Sequence, residues 1–440
     1  MGPAAGRASG RRSSEREGKR ARVEKAGFRQ FFRTRCVGQR YARPAGLLPA
    51  CFRLRLSPLG SAEMADTSDG TVALFLRRFL PYSQTFIYDE IQAHERYDVE
   101  VFCQERLNAE RFPYERYVKP SGWWGEKIYE NIGYWPSFDR LIGRRNHALI
   151  HAHFGTAAVY ALPYVLRHDV PFAITFHGVD VGNLFGARRF LPGQWRYWAY
   201  SRLLFRHADR LLADSIELAE LLGELGAPRE KLHVHRLGVD VSRFSRAGGE
   251  EDRPVRIVMV GRFTPKKGFT YALRACAKAL ERTDREAEVV MVGSGEQEAE
   301  LRRLARAPSL EGRVRFRGAL PHEQVAEVLA RADVMLTPSV VTRTHDRDSG
   351  IVVAKEASAS EVPVVGTYHG GIPSIIDDGE TGFLVPERNV DALADRLTTL
   401  LEDASLRRRF GTAAREKMKR SFDMHDQVRA LEEHYDAVRR

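Results

Sequence analysis

From Met64 onward the chain alternates short β-type runs with helical patterns, and this alternation confines it to parallel α/β layers. The first series of expected strands is Val72 to Leu76, Val99 to Cys103, Leu149 to His153, Phe172 to Phe176, Arg210 to Ala213 and Leu232 to His235. A second series follows at Val255 to Val260, Glu288 to Val292, Val314 to Phe316, Val334 to Thr337, Val364 to Thr367 and Gly382 to Val385. Helix starts are also legible. Asp214 can cap the next helix with Glu217 three residues on, a capping-box spacing. Pro321 opens HEQVAEVLARA in the first turn, where proline is tolerated. The polar, Gly-rich stretch SRAGGEEDRP separates the two series. The expected organisation is therefore a leader at 1–66, one Rossmann-like α/β domain at 67–245, a second at 254–420, and a C-terminal helix at 421–440.

A chain of 440 residues is too long for one ordinary core, which agrees with two domains. Its formal net charge of +11 invites a nucleic-acid reading, but the distribution argues otherwise. Residues 1–63 hold 15 Lys/Arg against four acids, leaving 54 of each sign from Met64 onward. The folded part is neutral, so no nucleic-acid partner is expected. The leader is rich in Arg, Gly, Ser and Ala without periodicity, and is expected to be a disordered basic extension. Its stretch GLLPACF is too short and broken for a secretory signal. A basic arm touching anionic lipid remains an alternative to the preferred reading, an upstream extension with translation starting at Met64. No run reaches the 18 or so apolar residues that a spanning helix needs. Cys36, Cys51, Cys103 and Cys276 lack metal-type spacing and read as free thiols in a reducing compartment.

Chemistry concentrates in residues 348–385. Asp348 and Glu356 bracket an apolar run with seven residues between them; Gly370, Gly371 and a DGETGFLV turn follow. A helix starting at Gly350 would offer unpaired N–H groups and its dipole to an anion. Glu356, six residues further on and roughly 9 Å along that helix, suits a ribose diol better than a phosphate. In GRFTPKKG, Arg262 and Lys267 flank a turn and can converge on one anion, as a planar fork and a point charge. VGSGEQ carries a lone G-x-G, weak evidence for a dinucleotide site. His151 and His153 share one side of a strand, but no third ligand stands nearby in sequence, so no metal is expected. ITFHGVD ends a buried strand with His177 and Asp180, the latter read as orienting its loop.

These motifs, in this order over residues 71 to about 420, resemble the retaining GT-B glycosyltransferases of family 4. The resemblance implies two Rossmann-like domains facing across a cleft. It implies transfer of a sugar from a nucleotide-sugar donor to a hydroxyl of a glycan or lipid-linked acceptor, with retention. Glu356 would hold the ribose. Asp348, one methylene shorter than the family's usual Glu, would lie near the donor sugar, and His177 would reach that sugar. Arg262 and Lys267 would bind the diphosphate, with Lys266 a variable neighbour whose loss should be nearly neutral. Gly261, Gly293, Gly295, Ser349, Gly350, Ile351 and Val352 would line the donor site. The leaving phosphate would take the acceptor's proton, and neither metal nor other cofactor would be required.

TVALFLRRFLPYSQTFI resembles the first loop of family members that build exopolysaccharide, matching at Pro81, Ser83, Thr85 and Phe86. Contact with acceptor or donor phosphate and a plain Ser cap are equally open there. The resemblance places His153 at a strand end lining the cleft, on its acceptor side. FGARRFLPGQWRYWAYSRLLFR interleaves Arg with aromatics and has no acid. A buried helix with Arg stems on its rim is preferred over a membrane-facing patch. Cytoplasmic placement is expected, with peripheral contact at the inner membrane face left open. The rivals are a nucleotide-sugar epimerase on the same scaffold and a non-catalytic nucleotide-sugar or glycan binding module.

Overall fold

The structure, a computed structural model, describes residues 69–81, 84–185, 194–247 and 253–439. The whole leader (1–66), Ser83, and parts of the Arg/aromatic stretch (186–193) and of the expected boundary (248–252) lie outside the described residues. The first sheet contains β1 (Gly70–Phe79), β2 (Tyr97–Arg106), β3 (Tyr117–Val118), β4 (Leu149–His153), β5 (Phe172–Phe176), β6 (Arg210–Ala213) and β7 (Leu232–Val234). The second contains β8 (Val255–Val260), β9 (Ala287–Val292), β10 (Val314–Phe316), β11 (Val334–Thr337), β12 (Val364–Thr367) and β13 (Gly382–Val385). Their orders are β3-β2-β1-β4-β5-β6-β7 and β10-β9-β8-β11-β12-β13. All neighbours pair in parallel.

Helices cover both faces of each sheet, so central strands are buried along their length. Every residue of β4, β5, β11 and β12 is buried, and β5, β11 and β12 accordingly read as near-continuous apolar runs in the sequence. In each sheet the strand order reverses once, between β1 and β4 and between β8 and β11. Such switch points open a crevice beyond the carboxyl ends of the strands. The loops leaving those ends carry Pro81, Arg262, Lys267 and Asp348, and His153 is the last residue of β4.

The two lobes are joined twice. The chain crosses out through Leu237–Asp240 and returns beside it, with Val239 bridged in parallel to Asp423. Val239 N–H donates to Phe422 O (2.8 Å) and Met424 N–H to Val239 O (3.1 Å). Gly238 is needed at this crossing, since a Cβ there would lie 2.6 Å from Met424 Cα. The final helix, Met424–Asp436, then packs on the first lobe. Leu431 and Tyr435 join Val72, Tyr97, Leu149 and Leu212 in one apolar cluster. Glu432 accepts the N–H groups of Glu95 and Arg96 (3.0 and 2.9 Å).

Local expectations needed four corrections. The short edge strand β3 was not anticipated. The helix Ile216–Glu224 is capped by Ser215, whose hydroxyl accepts from Leu218 N–H, because Asp214 is engaged elsewhere. Pro321 stands at the cap position, one residue before the helix His322–Ala330. The helix after Asp348 runs Val352–Ala359 and so starts two residues after Gly350.

Candidate active site

Arg262 and Lys267 lie on the loop between β8 and the helix Phe269–Leu280. This loop can pack closely because it is faced by glycine. A Cβ on Gly293 would lie 1.9 Å from Gly261 O, and one on Gly295 would lie 2.6 Å from Phe263 O. Gly261, Gly293 and Gly295 all have positive φ (151°, 138° and 158°), so their first requirement is close approach of two loop backbones. The Lys267 side chain passes over Gly261, whose added Cβ would lie 3.3 Å from Lys267 Cε. Arg262 is exposed.

Asp348 is the focus of this half. Its carboxylate lies 2.9 Å from Lys267 Nζ and 3.4 Å from Lys266 Nζ, and accepts from Ser339 Oγ at 2.9 Å. Burial alone would raise its pKa, but the two lysines outweigh this and hold it near 2. The expectation that Lys266 is a neutral neighbour is therefore corrected. Lys266 is buried, and also contacts Asp346 (3.3 Å) and the carbonyl of Arg347 (3.2 Å). Asp348, expected beside the donor sugar, has its carboxylate committed to these cations.

Glu356 is buried on the Val352–Ala359 helix and accepts from His322 Nε2 at 2.8 Å. His322 was missed by sequence reasoning; it opens a helix that shows no motif. Its bond to Glu356 raises its pKa despite partial burial. Phe86, Asp89, Arg243 and Val352 line a narrow crevice beside this pair. Gly350 O already accepts from Val352 N–H at 3.0 Å, so that N–H is not directed at an anion as expected. Ile351 is buried and stands at the cap of the helix.

On the facing lobe, His177 follows β5 and Asp214 follows β6. Ser349 donates to Asp214 from the opposite lobe, and Ser215 Oγ lies 3.2 Å from Ser349 Oγ. A Cβ on Gly350 would lie 2.7 Å from Asp214 Oδ2, so glycine is required for the loop to meet Asp214. Arg347 pairs with Glu217 at 2.6 Å across the same junction, which takes Glu217 out of the expected capping box. Burial raises the Asp214 pKa and lowers that of Lys355, which donates to Leu237 O at 2.7 Å. A cavity of about 550 Å³ adjoins this junction, lined by Ser215, Arg236, Tyr368, His369 and Lys417 but by none of the expected site residues.

His177 is nearly buried and its ring lies against Phe86 and Phe154 (centroids 5.1 and 4.5 Å). Asp180 accepts the N–H groups of Gly155 (2.8 Å), His177 (3.1 Å) and Val181 (3.0 Å), fixing the loop after β5. His153 does not line the acceptor side. Its side chain is fully buried behind His177, with Nδ1 3.0 Å from His177 Nε2. Pro81 and Thr85 are half-buried, the latter at the start of the helix Thr85–Gln92.

That helix supplies the third ligand-type residue the sequence did not reveal. Glu90, His151 and His153 each place a ligand atom within 4.8 Å of the others. They do not make a ready coordination set. His151 Nδ1 is bonded to Tyr435 Oη and Nε2 to Thr175 Oγ1, both at 2.8 Å, so neither nitrogen has a lone pair to spare without breaking a buried bond.

On the outer side, one face of the helix Trp195–His207 is buried through Tyr197, Ser201, Leu204 and Phe205. The preferred buried-helix reading covers only that face, since Trp195 and Trp198 are 59% and 44% exposed. Trp123 and Trp124, on the helix Gly122–Ile132, are 59% and 73% exposed. Arg196 ties the two helices together by donating to the carbonyls of Asn131 (3.1 Å) and Ile132 (2.8 Å). Among the described residues no helix is long and apolar enough to cross a membrane.

Residues 240–417 match the family model described as glycosyl transferases group 1, and residues 87–243 match that of glycosyltransferase family 4. WcaL of Escherichia coli K12, named for colanic acid biosynthesis, is 36% identical over 278 residues, covering 62% of this chain and 66% of WcaL. AmsK of Erwinia amylovora, an amylovoran biosynthesis glycosyltransferase, is 32% identical over 259 residues, covering 59% of this chain and 62% of AmsK. The chain thus spans just under two thirds of the length of these relatives. Anabaena HepE, solved with UDP and glucose, superposes with a TM-score of 0.67 at 17% identity, covering 84% of this chain and all of HepE. At that identity the likeness speaks for the fold: two Rossmann-like lobes in the GT-B arrangement.

Proposed function

Because the chain belongs to the group 1, family 4 glycosyltransferases, we propose that it moves a sugar from a nucleotide-sugar to an acceptor hydroxyl, with retention at the anomeric carbon. The observation that carries this reading is the cation cluster at the second switch point, where Lys266 and Lys267 converge on Asp348, on the loop that also carries exposed Arg262. In the proposed mechanism Arg262 and Lys267 stabilise the departing diphosphate as its charge develops. Lys267 can exchange its contact with Asp348 for phosphate, while buried Lys266 keeps Asp348 neutralised. Glu356 and His322 hold the nucleoside, and His177 orients the sugar. The leaving phosphate takes the acceptor's proton, so no strong base is needed. The two cations supply the charge that a metal would otherwise bring, and the reaction is proposed to run without one.

The acceptor is proposed to be a growing or lipid-linked glycan, in keeping with relatives named for colanic acid and amylovoran biosynthesis. Peripheral contact with the cytoplasmic face of a membrane fits the same role. Trp123, Trp124, Trp195 and Trp198 are exposed on two helices that Arg196 joins, and the second helix carries three arginines and no acid. Tryptophan and arginine together suit an anionic interface.

A thermal-shift panel of UDP, GDP, ADP and CMP tests the donor class, since a bound ligand raises apparent stability by mass action. One diphosphate should stabilise the protein and lose that effect in Glu356→Ala. No shift with any nucleotide would contradict the reading.

A further inference from the structure

We propose that His369 is a positioning residue for the donor-side loop, holding the backbone N–H of Asp348 with its Nε2 lone pair while its other nitrogen is anchored on Glu387. The three residues stand on the loops that leave three neighbouring strands, β11, β12 and β13. Asp348 N–H donates to His369 Nε2 at 3.1 Å, and His369 Nδ1 lies 2.7 Å from Glu387 Oε1. The other oxygen of Glu387 accepts from Val341 N–H (3.1 Å) and pairs with Arg388 (3.0 Å), so the anchor is itself tied down. His369 is buried, and water does not compete for either ring nitrogen.

The direction follows from the amide alone. A backbone N–H can only donate, so the Nε2 that receives it carries no proton. The ring proton is then on Nδ1, facing the carboxylate of Glu387. An imidazolium would instead set two N–H groups against each other at Asp348. The next two residues hold the same stretch from beneath. A Cβ on Gly370 would lie 2.2 Å from Asp348 O and one on Gly371 2.5 Å from Ser349 O, and Gly371 N–H donates to Ser349 O at 3.1 Å. The stretch Asp348–Ser349 is thus fixed at its first N–H by His369 and at its last carbonyl by Gly371. From that backbone the Asp348 carboxylate reaches Lys267 at 2.9 Å, so His369 sets where this cation waits.

The consequence for catalysis rests on the proposed role of Lys267 at the departing diphosphate. Two amide side chains separate the two ring contacts. The oxygen of Gln reaches the place of Nε2 and can accept from Asp348 N–H, whereas Asn reaches only the place of Nδ1 and keeps just the contact with Glu387. His369→Gln should therefore retain turnover at saturating donor within about threefold, and His369→Asn should lose about tenfold or more, as a misplaced catalytic group does. The donor KM should change less than about twofold in both, since the contact that suffers strengthens in the transition state. A merely structural histidine predicts losses that follow the melting temperatures of the two variants, and that result, or a larger loss in His369→Gln, would overturn the proposal. Nitrogen NMR of wild-type protein labelled with 15N-histidine, with the signal assigned by its loss in His369→Gln, should show a bare Nε2 and a protonated Nδ1. A proton on Nε2 would overturn the proposal without any variant having to fold. The ring state is readable even if no sugar is transferred, so failure of the functional reading would be seen separately.

Discussion

Ser349, on the loop before the Val352–Ala359 helix, donates its hydroxyl hydrogen to Asp214 at the end of β6, so the donor-side loop of one lobe is bonded to the facing lobe. Asp214 is buried, and its other oxygen has no hydrogen-bond partner among the described residues. Ser349→Ala would leave both oxygens without a side-chain donor. Leaving a buried acceptor unsatisfied costs about 1–3 kcal/mol. Urea unfolding should show a loss of that size, while Ser374→Ala, whose bond is made within its own turn, should cost less. Equal effects would mean that the Ser349 bond contributes nothing to the lobe junction.

The three cations of the 262–267 loop should separate by burial. Lys266→Ala removes a buried partner of a buried carboxylate and should destabilise the second lobe by about 3 kcal/mol or more, as breaking a buried pair does. Arg262→Ala, at an exposed position, should leave stability unchanged and lower turnover. Lys267→Ala should lower turnover about a hundredfold, the cost of one charge-assisted contact that strengthens in the transition state. Melting curves and turnover at saturating donor, measured side by side, check the pattern. Equal activities for all three would remove the phosphate clamp.

The His322–Glu356 pair carries a signed pH dependence. His322 has its folded pKa raised above the unfolded value by the bond to Glu356. Its contribution to stability is fully present below about pH 6.5, the ordinary histidine value, and is lost as pH rises through the folded value. The stability difference between wild type and His322→Gln should therefore shrink on going from about pH 6 to about pH 9. A difference that grows with pH would show that the imidazole is not stabilised in its charged form.

Much of this architecture was legible because parallel strands buried on both faces read as unbroken apolar runs. β4, β5, β6, β8 and β10 to β13 lie where the sequence puts them. The edge strand β3 has two residues and leaves no periodic trace. The Arg262/Lys267 turn and the Asp348–Glu356 spacing were legible as motifs, but their partners were not. His322, Lys266 and Asp214 meet the site across long sequence separations, which no local pattern encodes. Glu90 did leave a signal: it stands between Ile87 and Ile91, which share the buried face of its helix, and an acid on an apolar face calls for a partner. The final helix was expected at 421–440, but not its packing on the first lobe.

The exposed tryptophans predict lipid dependence. Cosedimentation with vesicles containing an anionic lipid should exceed that with zwitterionic vesicles and should fall with added salt. Replacing Trp124 and Trp195 together by Ser should abolish it while leaving transfer to a soluble acceptor unchanged. Binding that persists in this variant would place the lipid contact elsewhere.

The central claim is tested most directly by proton NMR of the reaction itself, run with the nucleotide-sugar whose nucleotide stabilises the protein and with a hydroxyl acceptor. Nucleoside diphosphate should appear in step with a new glycoside whose anomeric coupling matches that of the donor. An inverted glycoside would contradict retention, and a sugar altered without any acceptor would contradict transfer.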